Sequence, residues 1–318
     1  MQNKRVLSQR LSSGTLPLLA SIALMSCATI AARQPLPESI TSLGNTLETA
    51  LPQTAVFDMA MEHMDLRTGK TPKVLVIGID GTRADAVRVS GLDALVATKL
   101  PGAIFYFAYA GGNAAEGSLQ PTFTAPGFTS ILTGKWAKEH GIADNFLVNK
   151  KAAVRSFPAA VVEKYPDKRA AVLAAWEGIV NGSTYGDNGI YRFVPGNGYY
   201  TGNYDEKDPA VVAETDRCIG QGYDVLFAVI DMVDHNGHLY GFSPTNQRYT
   251  TAISRALGMA GQMIDAIRAR PSYADEDWLV ILTTDHGGKG RLHGGQSPEE
   301  RGTFILRWDS AGSPAADH

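Results

Sequence analysis

Three apolar runs in this chain stop on a carboxylate. "KVLVIGID" ends at Asp80, "DVLFAVIDMVD" carries on to Asp234 a few residues past its apolar part, and "DWLVILTTDH" ends at Asp285 and His286. Continuous apolar runs of this length predict strands buried on both faces, the pattern of parallel sheets. "AAVLAAW" (170–176) and "GTFILRW" (302–308) have the same make-up. Helical stretches lie between them. The clearest runs from Pro244 to Arg270, opened by Ser243-Pro244 and closed by Pro271, with Ile253, Leu257, Ala260, Ile264 and Ile267 on one stripe. This alternation predicts an α/β fold, a largely parallel sheet flanked by helices on both faces. Such sheets bind ligands at the carboxyl ends of their strands. One aspartate there is ordinary turn chemistry; three alike point to a site.

A chain of 318 residues with 44% apolar content can bury a sizeable core around such a sheet. Its net charge of -3 offers no basic footprint for duplex nucleic acid. Lys4, Arg5 and Arg10 precede "LPLLASIALMSCATIAA", which is shorter than the roughly 20 apolar residues of a membrane-spanning helix and suits an export signal. "LMSC" resembles a lipoprotein cleavage box ending at Cys27; cleavage near Ala32 is the alternative. The expected organisation is a signal at 1–27, a tether and lead-in at 28–72, and one catalytic domain at 73–318. The product would be periplasmic or membrane-anchored through a lipidated Cys27. Cys218 then stands alone and reads as a small buried hydrophobe, which leaves no disulfide framework.

The chemistry-bearing residues cluster at the strand ends. Asp234 and His238 lie four apart around Gly237, so both side chains can converge on one ion. His286 and His293 flank a glycine-rich loop. With Asp285 they supply nitrogen and oxygen ligands for two ions, and the lack of thiolate favours Zn²⁺ over Mn²⁺ or Fe²⁺. His235 and Asp231 read as supporting residues. Thr124 opens "APGFTSILTG", a predicted helix with Pro126 in its first turn and Gly134 as its stop. Its hydroxyl would lie at the positive end of that helix, where phosphate is favoured; alternatively it merely caps the helix.

From Lys73 to Trp308 the chain resembles the alkaline phosphatase superfamily, most of all its type I phosphodiesterase/nucleotide pyrophosphatase branch. The ordered motifs are "IGIDGTRAD", "PTFTAPGFTSILTGKWAKEHGIADN", "DHNGHLYG" and "TTDHGGKGRLHGG". The resemblance implies an alkaline-phosphatase-like sheet and two zinc ions. Asp80, Thr124, Asp285 and His286 would hold one; Asp234, His238 and His293 would hold the other. It implies a phosphothreonine intermediate on Thr124, with Asn145 and the N–H after Thr124 cradling a phosphate oxygen. The substrate would be a small phosphodiester or nucleotide-like molecule. A phosphomonoesterase is the alternative within this chemistry, and a non-catalytic metal-binding lipoprotein the alternative outside it.

Two dications against three carboxylates and a Thr124 alkoxide leave no net charge, which suits a monoanionic diester better than a dianionic monoester. Lys289 and Arg291 are candidates for extra positive charge. The chain departs from the branch in carrying Ala125, not an aromatic, after the nucleophile. Phe123, Tyr199 and Tyr200 are then the candidates to stack on a base. The short loop from His286 to His293 leaves residues 150–215 as the candidate lid. "TAPGF" lacks the cysteine or serine and the arginine that a sulfatase needs.

Overall fold

The computed structural model describes residues 50–147, 150–185, 189–194 and 204–312. The export segment with Cys27, and Tyr199 and Tyr200, lie outside them. The eight strands among the described residues are β1 Leu51–Pro52, β2 Thr71–Ile79, β3 Ile104–Tyr109, β4 Ala170–Ala174, β5 Tyr191–Phe193, β6 Val225–Ile230, β7 Glu276–Thr283 and β8 Gly302–Asp309. They form one sheet in the order β1-β3-β8-β7-β2-β6-β4-β5. From β7 to β5 all neighbours are parallel, and β8 runs antiparallel to both β7 and β3. The largely parallel α/β sheet expected from the apolar runs is what the chain forms.

Described helices of eight or more residues are numbered α1 Ala55–Met64, α2 Thr124–Thr133, α3 Phe157–Lys164, α4 Tyr204–Gly220, α5 Met232–Tyr240 and α6 Gln247–Arg268. Alternation along β6 shows how they cover both faces. Leu226, Ala228 and Ile230 join the core built on the apolar stripe of α6. Phe227, pointing the other way, meets Phe128 of α2 and Phe157 of α3 edge-on or tilted, at centroid distances of 5.9 and 6.2 Å. Cys218 is fully buried within the core, as expected of a small hydrophobe.

Three expectations shift. The later part of the lead-in (28–72) belongs to the sheet layer: β1 pairs with β3, and α1 buries Val56, Met59, Ala60 and Met64. Within the candidate lid segment 150–215, β4 is wholly buried and pairs with β6, so that part belongs to the sheet, while 186–188 and 195–203 lie outside the described residues. Five consecutive apolar residues cannot remain outside the core. Finally, α6 begins after Asn246, whose side chain accepts the Arg248 N–H at 3.1 Å; this cap outcompetes Ser243-Pro244 as the start.

Candidate metal centre

Strands β2, β6 and β7 lie side by side, so their carboxyl ends bring three loops to one place. Asp80 directly follows β2. Its loop is tied down by Tyr249 of α6, whose hydroxyl donates to the Gly81 carbonyl at 2.6 Å and accepts the Arg83 N–H at 3.0 Å. The Gly81 N–H donates to Asp285 Oδ1 at 3.2 Å, and the Thr82 N–H to Thr284 Oγ1 at 3.0 Å. The β2 and β7 ends thus hold one another. Gly81 sits at φ 65°, and a Cβ there would lie 2.7 Å from Asp234 Oδ1, so only glycine lets the β6 side approach.

"DHNGH" (234–238) is helical. It lies inside α5, which puts Asp234 and His238 one turn apart on the same face. Thr124 is the first helical residue of α2 and Phe123 holds the cap position, so the capping role considered for Thr124 falls away. Its Oγ1 faces His286 Nε2 at 3.4 Å.

The three histidines share one arrangement. His286 Nδ1 donates to the Gly287 carbonyl, His293 Nδ1 to that of Thr122, and His238 Nδ1 to that of Arg291, each at 2.8 Å. In the neutral ring this tautomer leaves the Nε2 lone pair turned inward, the usual preparation of a metal-binding imidazole; without an ion, His238 is held above its usual range by its Nε2 hydrogen bond to Asp234. His286 Nε2 is 3.1 Å from Asp285 Oδ2 and 3.4 Å from Asp80 Oδ1. His293 Nε2 is 3.5 Å from Asp234 Oδ1, and His238 Nε2 is 3.3 Å from Asp234 Oδ2. The Nε2 atoms of His238 and His293 are 3.0 Å apart. Two lone pairs so close repel unless a proton or a metal cation lies between them.

The carboxylates make the same demand. Asp80 Oδ1, Asp234 Oδ1 and Asp285 Oδ2 are buried with no hydrogen-bond partner among the described residues. Burial, then the charges of Asp285, Asp234 and Asp231, push the Asp80 carboxyl well above its usual range. Asp285 is raised by burial and by Asp234. Asp234 is also penalised by burial, but the His238 hydrogen bond and the neighbouring imidazoles outweigh this and hold it low. Burial pushes the His286 imidazole down to about 3, with His293 adding to the shift, and burial lowers His293 too. The imidazoles of His286 and His293, kept neutral beside mutually repelling carboxyls, suit divalent cations.

Asp80, Asp285 and His286 form one group whose ligand atoms lie within 4.8 Å of one another, and Asp234, His286 and His293 form a second. The first is buried; the second, with His238, opens to the cavity mouth. All seven expected metal-site residues are therefore brought together. Asn145 joins them, but its Oδ1 accepts the Ala125 N–H at 2.9 Å. That N–H is consumed and not aimed at substrate as expected, and the Asn145 amide remains as the donor.

A cavity of about 280 Å³ opens over Asp80, Thr124, Asn145, Asp234, His238 and His293. No lysine or arginine among the described residues lines it. Lys289 is exposed and pairs with Glu299 at 3.6 Å, and Arg291 is exposed as well. Phe123 packs edge-on against His293 with centroids 5.8 Å apart, so it supports a ligand instead of facing a base. Three further residues of the cavity wall are Trp176, which the sequence left unassigned, and Asp231 and His235, to which it gave only a supporting part.

Residues 74–178 match the family model described as type I phosphodiesterase/nucleotide pyrophosphatase. The human protein "ectonucleotide pyrophosphatase/phosphodiesterase family member 1" is 25% identical over 230 residues, 69% of this chain and 24% of that protein. The chain thus spans about a quarter of this relative's length. Among solved structures, a 2-O GAG sulfatase superposes with a TM-score of 0.53 at 12% identity, over 74% of this chain and 64% of the other. A Bacteroides thetaiotaomicron protein described as a sulfatase gives 0.51 at 11% identity over the same shares. These two likenesses concern the fold alone.

Proposed function

We propose that this relative of the alkaline phosphatase superfamily, akin to its type I phosphodiesterase/nucleotide pyrophosphatase branch, is a two-metal hydrolase of phosphodiester or pyrophosphate bonds acting through Thr124. The reading is carried by one observation: three imidazole Nε2 atoms and three orphaned carboxylate oxygens converge beside one threonine hydroxyl.

Asp80, Asp285 and His286 would hold one zinc with Thr124 at its edge, and Asp234, His238 and His293 the other. Bound there, zinc would act as a Lewis acid that lowers the hydroxyl pKa and offsets phosphate charge. The chain's own part is positional. Helix α2 presents Thr124 Oγ1 from its first turn, so the developing phosphothreonine sits at the positive helix end. The Oγ1–P bond forms as one P–O ester bond breaks and the alcohol leaves; water later cleaves the Oγ1–P bond and restores the hydroxyl. The Asn145 amide donates to a non-bridging phosphate oxygen. A cavity whose described lining lacks lysine and arginine favours a monoanionic diester over a dianionic monoester.

With zinc-loaded protein, bis-p-nitrophenyl phosphate should be turned over faster than p-nitrophenyl phosphate. Thr124→Ala should keep its zinc while losing at least about a hundredfold in kcat. Substantial residual turnover would mean another nucleophile; a clear monoester preference would move the reading to a phosphomonoesterase. The N-terminal segment supports export, as a periplasmic protein or one anchored through Cys27, and the mass of the mature N-terminus from fractionated cells would decide between them.

A further inference from the structure

Against the nucleophile helix lies a buried imidazole that belongs to neither ligand group. His140 closes the short helix Ala137–His140 and is fully buried, a few residues ahead of Asn145. Its Nδ1 accepts the Ile142 N–H at 3.1 Å, so the ring proton is on Nε2, which donates to Ser130 Oγ at 3.1 Å. Ser130 belongs to α2 and is fully buried, and its hydroxyl meets both polar atoms of the Gln120 amide at 3.0 and 3.2 Å. Gln120 Oε1 also takes the Ala137 N–H at 2.6 Å, which returns the chain of hydrogen bonds to the helix that carries His140. Burial keeps the ring neutral down to about 4, so both of its contacts hold at neutral pH.

The stretch that follows the ring carries Asn145. From Gly141 to Asn145, Ile142 is buried, Asp144 is half-buried and the others are exposed, so packing alone gives this stretch little hold. Two links stitch it to α2. Asn145 Oδ1 accepts the Ala125 N–H at 2.9 Å, and the Ile142 N–H reaches Ser130 through the His140 ring. Ala125 and Ser130 stand about 7.5 Å apart along the helix axis. Helix α2 is wholly buried and presents Thr124 from its first turn. A loop fixed at two separated points on that helix neither slides along it nor pivots away, so the Asn145 amide keeps one height relative to the Thr124 hydroxyl. Held through Asn145 alone, an exposed loop would pivot about a single bond.

We propose that His140 is a positioning residue: by holding the Ile142 N–H against Ser130, it sets where the Asn145 amide points at the phosphate oxygen. The inference rests on the phosphodiesterase reading and adds to it a group that does not touch the substrate.

Two measurements on the full chain test it. The first is a double-mutant cycle in kcat for bis-p-nitrophenyl phosphate with zinc-loaded protein. His140→Gln offers no acceptor at the Nδ1 position and should lower kcat by about tenfold or more with little change in KM. In an Asn145→Ala background the same change should cost almost nothing further. An equal loss in both backgrounds overturns the proposal, because a residue that merely supports the fold has no reason to act through Asn145. The second measurement needs no turnover: hydrogen exchange of the Ala125 amide, followed by NMR in metal-free protein. In His140→Gln its exchange should speed up by about tenfold more than that of the β2 amides, which report global stability. If Ala125 and β2 change by the same factor, His140 serves stability alone and the proposal falls. Should His140→Gln not fold, Ser130→Ala, which releases the far side of the ring, takes its place with the same expected and refuting outcomes. A wild-type protein that hydrolyses no phosphoester overturns the phosphodiesterase reading, while exchange at Ala125 still decides whether His140 holds Asn145 in place.

Discussion

Removing one hydroxyl that is not itself a metal ligand should damage the metal centre. Tyr249 is fully buried, and its hydroxyl holds both the Gly81 carbonyl and the Arg83 N–H. Tyr249→Phe keeps the ring and its packing against Phe242, whose centroid is 5.6 Å away. It leaves a buried acceptor and a buried donor unpaired. Each such group costs about 1–3 kcal/mol, and partial relaxation brings the pair to about 2–4 kcal/mol. For a domain of this size that corresponds to a fall in Tm of about 4–8 °C. The affected loop carries Asp80, so zinc affinity should also fall by about tenfold or more. Urea unfolding of metal-free protein gives the first number, provided m is unchanged, and competition with a chromogenic zinc chelator gives the second. A stability loss under about 0.5 kcal/mol with unaltered zinc affinity would show that Tyr249 does not position the loop.

Other perturbations separate the same ideas. Chelation of zinc-loaded protein should lower its Tm and zinc should restore it, because the orphaned carboxylate oxygens repel in the metal-free state; His293→Ala should blunt that response while Thr124→Ala should not. Gly81→Ala, which sets a Cβ 2.7 Å from Asp234 Oδ1 at φ 65°, should cost stability and abolish binding of one zinc, read by metal analysis. Burial pushes His140, whose Nδ1 accepts the Ile142 N–H, down to about 4. The unfolded chain takes up this proton below about pH 6.5 and the folded chain only near pH 4, so the contribution is intact above that window and declines as pH falls through it, by up to about 3 kcal/mol. Comparing urea midpoints at about pH 7.5 and about pH 5 should show a smaller decline in His140→Gln than in the wild type.

Much of this was legible along the chain. Runs such as Val74–Ile79 and Val225–Ile230 have one stable destination, a strand covered on both faces, and the residues that close them must then emerge at one edge of the sheet. The spacing of Asp234 and His238 serves either a loop or a helix turn, so convergence was readable even where the element type was not. Short pieces were not readable. β1 has two residues and β5 three, too few to leave a periodic signature, and both are recruited by a neighbour already in place.

What the sequence determined by itself was therefore the kind of layer, the ligand types and the order in which they arrive, because burial and coordination chemistry act on residue identity. What only the tertiary structure decided was orientation. Which imidazole nitrogen faces inward depends on carbonyls of Thr122, Gly287 and Arg291 that meet the rings in space. Whether Asp231 is a cap or a bare carboxylate depends on Asp208, far away in sequence and adjacent in the fold. Trp176 reaches the cavity wall only because β4 lies beside β6. Hydrogen bonds and charges act over a few ångströms, and the distances that set them exist only once the chain has folded.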